Sequence, residues 1–222
     1  MSKPNIAPQS QERRYTNTGK IELRAAADPN TESRTIVFYA SVYNTKSNLL
    51  SDGWDQFREI IAPGAFDAVL NQDTTCNVNH DDDMIVGRTT AGNLRITSDN
   101  TGLRCEVDIP NTTAGNDLLE NIRVGNITQS SFCFQLAPEG DTWQYTEADG
   151  YLRTIKSVSR LWDVSMVVWP AYSEAGVSEE DSKRNIQVAA RSLKSFVEAQ
   201  KPPVKRMSRV AKAKLDLIAK NY

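Results

Sequence analysis

A chain of 222 residues, 39% hydrophobic and 24% charged, can build one good-sized core with an appendage. No apolar run approaches the roughly 18–20 residues that cross a bilayer. The net charge of −2 hides a split: residues 183–222 hold eleven Lys/Arg against Glu198 and Asp216, leaving fifteen basic and twenty-six acidic residues in 1–182.

The polar stretch from Met1 to Gly19 lacks the apolar segment of a secretory signal and reads as a flexible arm. Ile21, Leu23 and Ala25 alternate with polar residues, a strand pattern. Thr35 to Tyr43 repeats it, with Ile36, Phe38, Ala40 and Val42 on one face, and Phe57 to Ile61 is a further short strand. Pro63 opens a short helix to about Leu70. Thr75 to Asn79 is a strand that delivers His80 at its end. Leu94–Ile96 and Leu103–Ile109 form a hairpin around Asp99-Asn100-Thr101-Gly102.

Asn116 to Val124 has the apolar spacing of an amphipathic helix. Strands follow over 127–136, 142–147, 151–159 and 161–168, the second and third joined at Ala148-Asp149-Gly150. Beyond Pro170 the chain becomes polar over Ser173–Asn185, then helical over Ile186–Ala199. Lys201-Pro202-Pro203 breaks that helix, and Val204–Asn221 reads as a second, basic one. The expected class is α+β, a mainly antiparallel β-structure with flanking helices, closed or partly closed as a barrel, followed by a basic helical tail.

His80 is the single histidine, so imidazole chemistry near neutral pH has one source. In Ser130-Ser131-Phe132-Cys133-Phe134, alternation puts Ser130 with the two phenylalanines on the core side and turns Ser131 and Cys133 the other way. In Leu161 to Val168, Trp162, Val164, Met166 and Val168 share one face, and Asp163 and Ser165 the other. Each position alone reads as a polar residue on a solvated strand face. Together they supply a hydroxyl, an imidazole and a carboxylate to orient it. Asp81, Asp82 and Asp83 cannot all face one ion and no second histidine exists, so no metal site is expected. The three cysteines, Cys76, Cys105 and Cys133, lack metal-site spacing and read as reduced thiols.

Several segments, in order, resemble the prohead maturation proteases of tailed bacteriophages. They are Tyr39–Asn44, Glu59–Phe66, Asn79-His80-Asp81 with Val86–Thr89, Asp99–Leu103 (a D-x-x-G-L signal), Ser131–Phe134, and Asp163-Val164-Ser165 with Trp169-Pro170-Ala171. The resemblance runs from about Ile21 to Val177. It implies a herpesvirus-protease-like fold and a serine endopeptidase with Ser131 as nucleophile, His80 as general base and Asp163 as third member. The chain departs from the family pattern at Cys133, where relatives carry glycine, and at Asp163, where many carry glutamate.

The implied organisation is an arm (1–19), a protease domain (20–177) and a linker with basic tail (178–222). The implied partners are the major capsid protein and scaffold segments, with self-association inside the procapsid, in the host bacterial cytoplasm. Neither cofactor, membrane nor nucleic acid is expected. Oxyanion donors are expected from the Gly87-Arg88 turn or the segment Ser157–Arg160. Two rival readings use the same residues: an assembly protein with a degraded site, and a thiol hydrolase built on Cys133 and His80.

Overall fold

The structure is a computed structural model that describes residues 11–16, 21–25, 33–51, 55–168 and 179–200. Among them, strands in three sheets and two α-helices make an α+β arrangement. The first sheet runs in the order β1 (Gln11–Thr16), β10 (Gln129–Leu136), β13 (Val158–Val167), β6 (Thr75–Val78), β7 (Asp81–Arg88). The second runs β11 (Asp141–Thr146), β12 (Gly150–Ile155), β5 (Gln56–Ile61), β4 (Leu50–Ser51). The third runs β2 (Glu22–Leu23), β3 (Thr35–Val42), β9 (Gly102–Asp108), β8 (Leu94–Ser98). The helices are α1 (Thr113–Arg123) and α2 (Glu179–Gln200).

Among the described residues no sheet closes, which corrects the barrel expectation. A barrel needs an unbroken ring of paired strands. Here β1 and β7 edge the first sheet, β11 and β4 the second, and β2 and β8 the third. Most pairs are antiparallel, but β13 with β6 and β12 with β5 run parallel.

The main core lies where alternation placed it. Ile36, Phe38, Val107, Phe132, Phe134, Val164 and Met166 are buried in one cluster, but a register shift between Cys133 and Phe134 skips Trp162, which is half-buried while Leu161 takes its place in the core. The β3 pattern slips at its end. A register shift between Tyr39 and Ser41 turns Ser41 and Tyr43 inward and leaves Val42 half-buried, because a bulge reverses the alternation beyond it. A second cluster packs Leu50 and Phe57 under Ile186, Ala189 and Leu193 of α2.

Local chemistry accounts for the hairpin signal. Asp99 Oδ1 accepts from the amides of Thr101 (2.7 Å) and Gly102 (3.0 Å), closing the turn. A Cβ on Gly102 would lie 2.0 Å from the Ser41 carbonyl oxygen, so only glycine allows β9 to pass β3 there. Helix α1 is capped by Thr112, whose hydroxyl oxygen accepts from the Gly115 amide.

Four features differ from the sequence expectation. The segment after Pro63 holds a short 3-10 turn, Asp67–Val69, rather than a helix to Leu70. Gly87-Arg88 lies inside strand β7 and is not a turn. Residues 11–16, expected as part of a flexible arm, form strand β1. Helix α2 begins at Glu179, within the stretch expected as linker, and the proposed tail helix lies outside the described residues.

Candidate active site

Strand pairing brings the chemistry-bearing residues to one sheet face. Across the antiparallel pair, Ser131 of β10 stands opposite Ser165 of β13, and Cys133 opposite Asp163. Successive residues alternate faces, so these four side chains point the same way. The opposite face carries Ser130, Phe132 and Phe134. That side is core, and the Ser130 hydroxyl donates to the Tyr39 carbonyl across it.

His80 arrives from a different direction. Strands β6 and β7 pair up to Val78 opposite Asp81, so Asn79 and His80 are the two residues of a hairpin loop. Both have positive φ, 55° and 58°, the backbone sign of a type I′ turn. Asparagine tolerates this region and histidine less readily, so holding His80 there is costly without support. The support comes from β13: the Asn79 amide donates to the Met166 carbonyl, and Asn79 Oδ1 accepts from the Val168 amide at 3.1 Å. The turn is thereby fastened two strands' width from Ser131, with the imidazole folded back over the sheet.

The resulting contacts are short. His80 Nδ1 lies 2.6 Å from Asp163 Oδ1, and Nε2 lies 2.5 Å from Ser131 Oγ. The Ser165 hydroxyl donates to the same Asp163 oxygen at 2.6 Å. Ser131 and Ser165 are fully buried and only 3% of the His80 side chain is exposed. A charge formed on the imidazole would therefore sit against an ionised carboxylate with little water between. The three residues singled out from sequence are thus brought into one hydrogen-bonded row. Ser165 had been placed on the Asp163 face but given no part.

Cys133 needs no glycine-like backbone here. It lies in paired extended strand and is not among the residues with positive φ. Burial pushes its thiol up to about 12, the Asp163 charge adds to that, and the Arg13 cation pulls the other way. Thiolate chemistry at neutral pH therefore starts from a nearly empty pool. Three of the amides expected as oxyanion donors are already bonded within the fold. The Arg88 amide already donates to Asn93 Oδ1, and the amides of Ser157 and Val158 to the carbonyls of Gly140 and Ala65.

Two further features escaped sequence reasoning. The Ser131 hydroxyl is also 2.9 Å from the Arg14 carbonyl oxygen of β1, which pairs antiparallel with β10 through Tyr15 opposite Ser131. Beyond that strand lies a buried charge cluster. Arg14 bonds Glu59 and Glu12, while Arg153 bonds Glu12 (2.7 Å), Glu59 (2.7 Å) and Asp141 (2.6 Å). Burial alone would raise the Glu59 carboxyl, but the two guanidiniums outweigh it and bring it down to about 2. The period-two pair Glu12/Arg14 was a visible strand signal, obscured by its polarity.

The chain matches the family model of the caudovirus prohead serine proteases over residues 20–191. It belongs to that family. No curated protein and no solved structure matches it. As a caudovirus prohead serine protease, the chain is a phage protease of capsid maturation. Strand β1 precedes the matched residues, and the end of α2 follows them. No helix among the described residues is long and apolar enough to cross a membrane.

Proposed function

We propose that the chain is a serine endopeptidase that cuts capsid and scaffold segments during procapsid maturation, with Ser131 as nucleophile, His80 as general base and Asp163 as its orienting acid. The observation that carries this reading is the row Ser131 Oγ–His80 Nε2 and His80 Nδ1–Asp163 Oδ1, at 2.5 and 2.6 Å. With Asp163 ionised, Nδ1 carries the hydrogen and Nε2 presents its lone pair to the serine hydroxyl.

Ser131 Oγ attacks the scissile carbonyl carbon as its proton passes to Nε2. The carbon–nitrogen bond then breaks, and the same proton goes to the departing amine. Water, deprotonated by His80, hydrolyses the resulting ester and frees Ser131. Asp163 holds the imidazole in the required tautomer and opposes the positive charge it gains. The carboxylate is short, and its reach is met by the turn that carries His80 toward it. Self-cleavage, self-association within the procapsid and action in the host cytoplasm belong to the same reading.

The test is intact-mass spectrometry of the full chain and of Ser131→Ala, each co-expressed with the capsid protein encoded beside it. Cleavage by the wild type alone is the expected result. Cleavage by both overturns Ser131 as nucleophile, and cleavage by neither favours an assembly protein without activity.

A further inference from the structure

Strand β1 lies along the only edge by which an extended peptide can pair with β10. On the other side β10 is paired with β13, so a substrate strand added to the nucleophile's strand must take the place β1 holds. The Arg14 carbonyl oxygen is within hydrogen-bonding distance of the Ser131 hydroxyl. That hydroxyl has one hydrogen. Donated to Arg14, it is withheld from His80 Nε2, and the attack cannot begin.

The far side of β1 shows what the site selects. Glu12 and Arg14 share a face and reach across to partners outside the strand: Glu12 to Arg153 of β12, Arg14 to Glu59 of β5. Arg153 is fully buried and Glu59 3% exposed, so they form a fixed pair of opposite charges rather than a mobile rim. A displaced β1 leaves Arg153 and Glu59 bonded to one another at 2.7 Å, and Arg153 to Asp141. The body therefore keeps its charges paired when β1 leaves, as a reversible plug requires.

We propose that β1 stands in for the substrate strand: it closes the active site of the resting chain, and Glu59 with Arg153 selects as its replacement an extended peptide bearing a carboxylate two residues before a basic residue. The carbonyl of that basic residue comes beside Ser131 with its oxygen turned away from the hydroxyl, unlike that of Arg14, which leaves the hydrogen to His80 Nε2 and places the scissile bond immediately after that residue. This rests on Ser131 as nucleophile, and the experiment separates the two.

Amide hydrogen exchange and labelling of Ser131 by a fluorophosphonate are followed on the full-length wild type and on Arg14→Ala. In the wild type, β1 amides exchange well before those of β13 and β6. In Arg14→Ala, β10 amides facing β1 exchange at least tenfold faster and Ser131 labels at least tenfold faster. A synthetic peptide with the sequence of residues 11–16 restores β10 protection, whereas the same peptide with alanine for its glutamate and its second arginine does not. Exchange of β1 only together with global unfolding overturns the proposal, and this wild-type measurement decides even if Arg14→Ala fails to fold. Equal labelling of Ser131 in both proteins, or equal protection by both peptides, also overturns it. Release and peptide re-protection of β10, with no labelling in either protein, supports the stand-in strand and overturns Ser131 as nucleophile.

Discussion

Asp163→Asn removes one charge and leaves the shape of the row. The carboxamide oxygen can still accept from His80 Nδ1 and from the Ser165 hydroxyl, which now meet the carboxylate at 2.6 Å each. What disappears is the attraction between the carboxylate and the positive imidazole formed as Ser131 attacks. With the two charge centres about 4 Å apart and an effective dielectric near 20, that attraction is about 4 kcal/mol. At about 1.4 kcal/mol per tenfold, the rate falls roughly a thousandfold. The resting fold changes little, because no charge is left buried without a partner. The assay is the rate of Ser131 labelling by a fluorophosphonate, followed by intact mass for wild type and variant beside thermal melts. Labelling within threefold of wild type at an unchanged melting temperature would refute the assignment of Asp163.

Ser165→Ala removes a hydrogen bond to a charged oxygen, a contact worth roughly 1.5–3 kcal/mol. Labelling of Ser131 should fall about tenfold, and Ser165→Thr, which keeps the hydroxyl, should recover part of it; equal rates for Ala and Thr would leave the hydroxyl without a part. Iodoacetamide at pH 7.5 should leave labelling unchanged, because the buried Cys133 thiol, pushed up to about 12, stays protonated; loss of labelling in step with Cys133 alkylation would revive the thiol reading. Glu59 is held down to about 2 in the folded chain, against roughly 4.3 when unfolded. Its contribution to stability is complete above the unfolded value and is lost as pH falls toward about 2. Melting temperatures should therefore drop between about pH 5 and 2, less steeply in Glu59→Gln, and parallel curves would refute the role of the cluster.

Much of the site was legible because strand alternation is local. Ser131 and Cys133 on one face, and Asp163 with Ser165 on another strand's equivalent face, follow from period two and from the phenylalanines and valines that mark the core side. The D-x-x-G-L turn was equally local, since Asp99 closes it through its own neighbours. What strand order decided was invisible. Alternation cannot say that β13 is the neighbour of β10, nor that β6 pairs parallel beside β13 and so presents the Asn79-His80 turn to Ser131.

Strand β7 was hidden by Asp81, Asp82 and Asp83, which are exposed and depress any apolar signal, although the ladder with β6 makes them strand. The same holds for β1, whose Glu12 and Arg14 look like solvated arm residues. They are buried only because Glu59 and Arg153, 45 and 141 positions away from them respectively, complete a closed set of ion pairs. Residue type and spacing determined which side chains carry the chemistry and which way each strand turns them. Only tertiary structure decided that the imidazole, hydroxyl and carboxylate meet, that the barrel stays open, and that a polar strand lies over the serine. Those outcomes depend on long-range pairing and on burial of matched charges, and no window of neighbouring residues contains either.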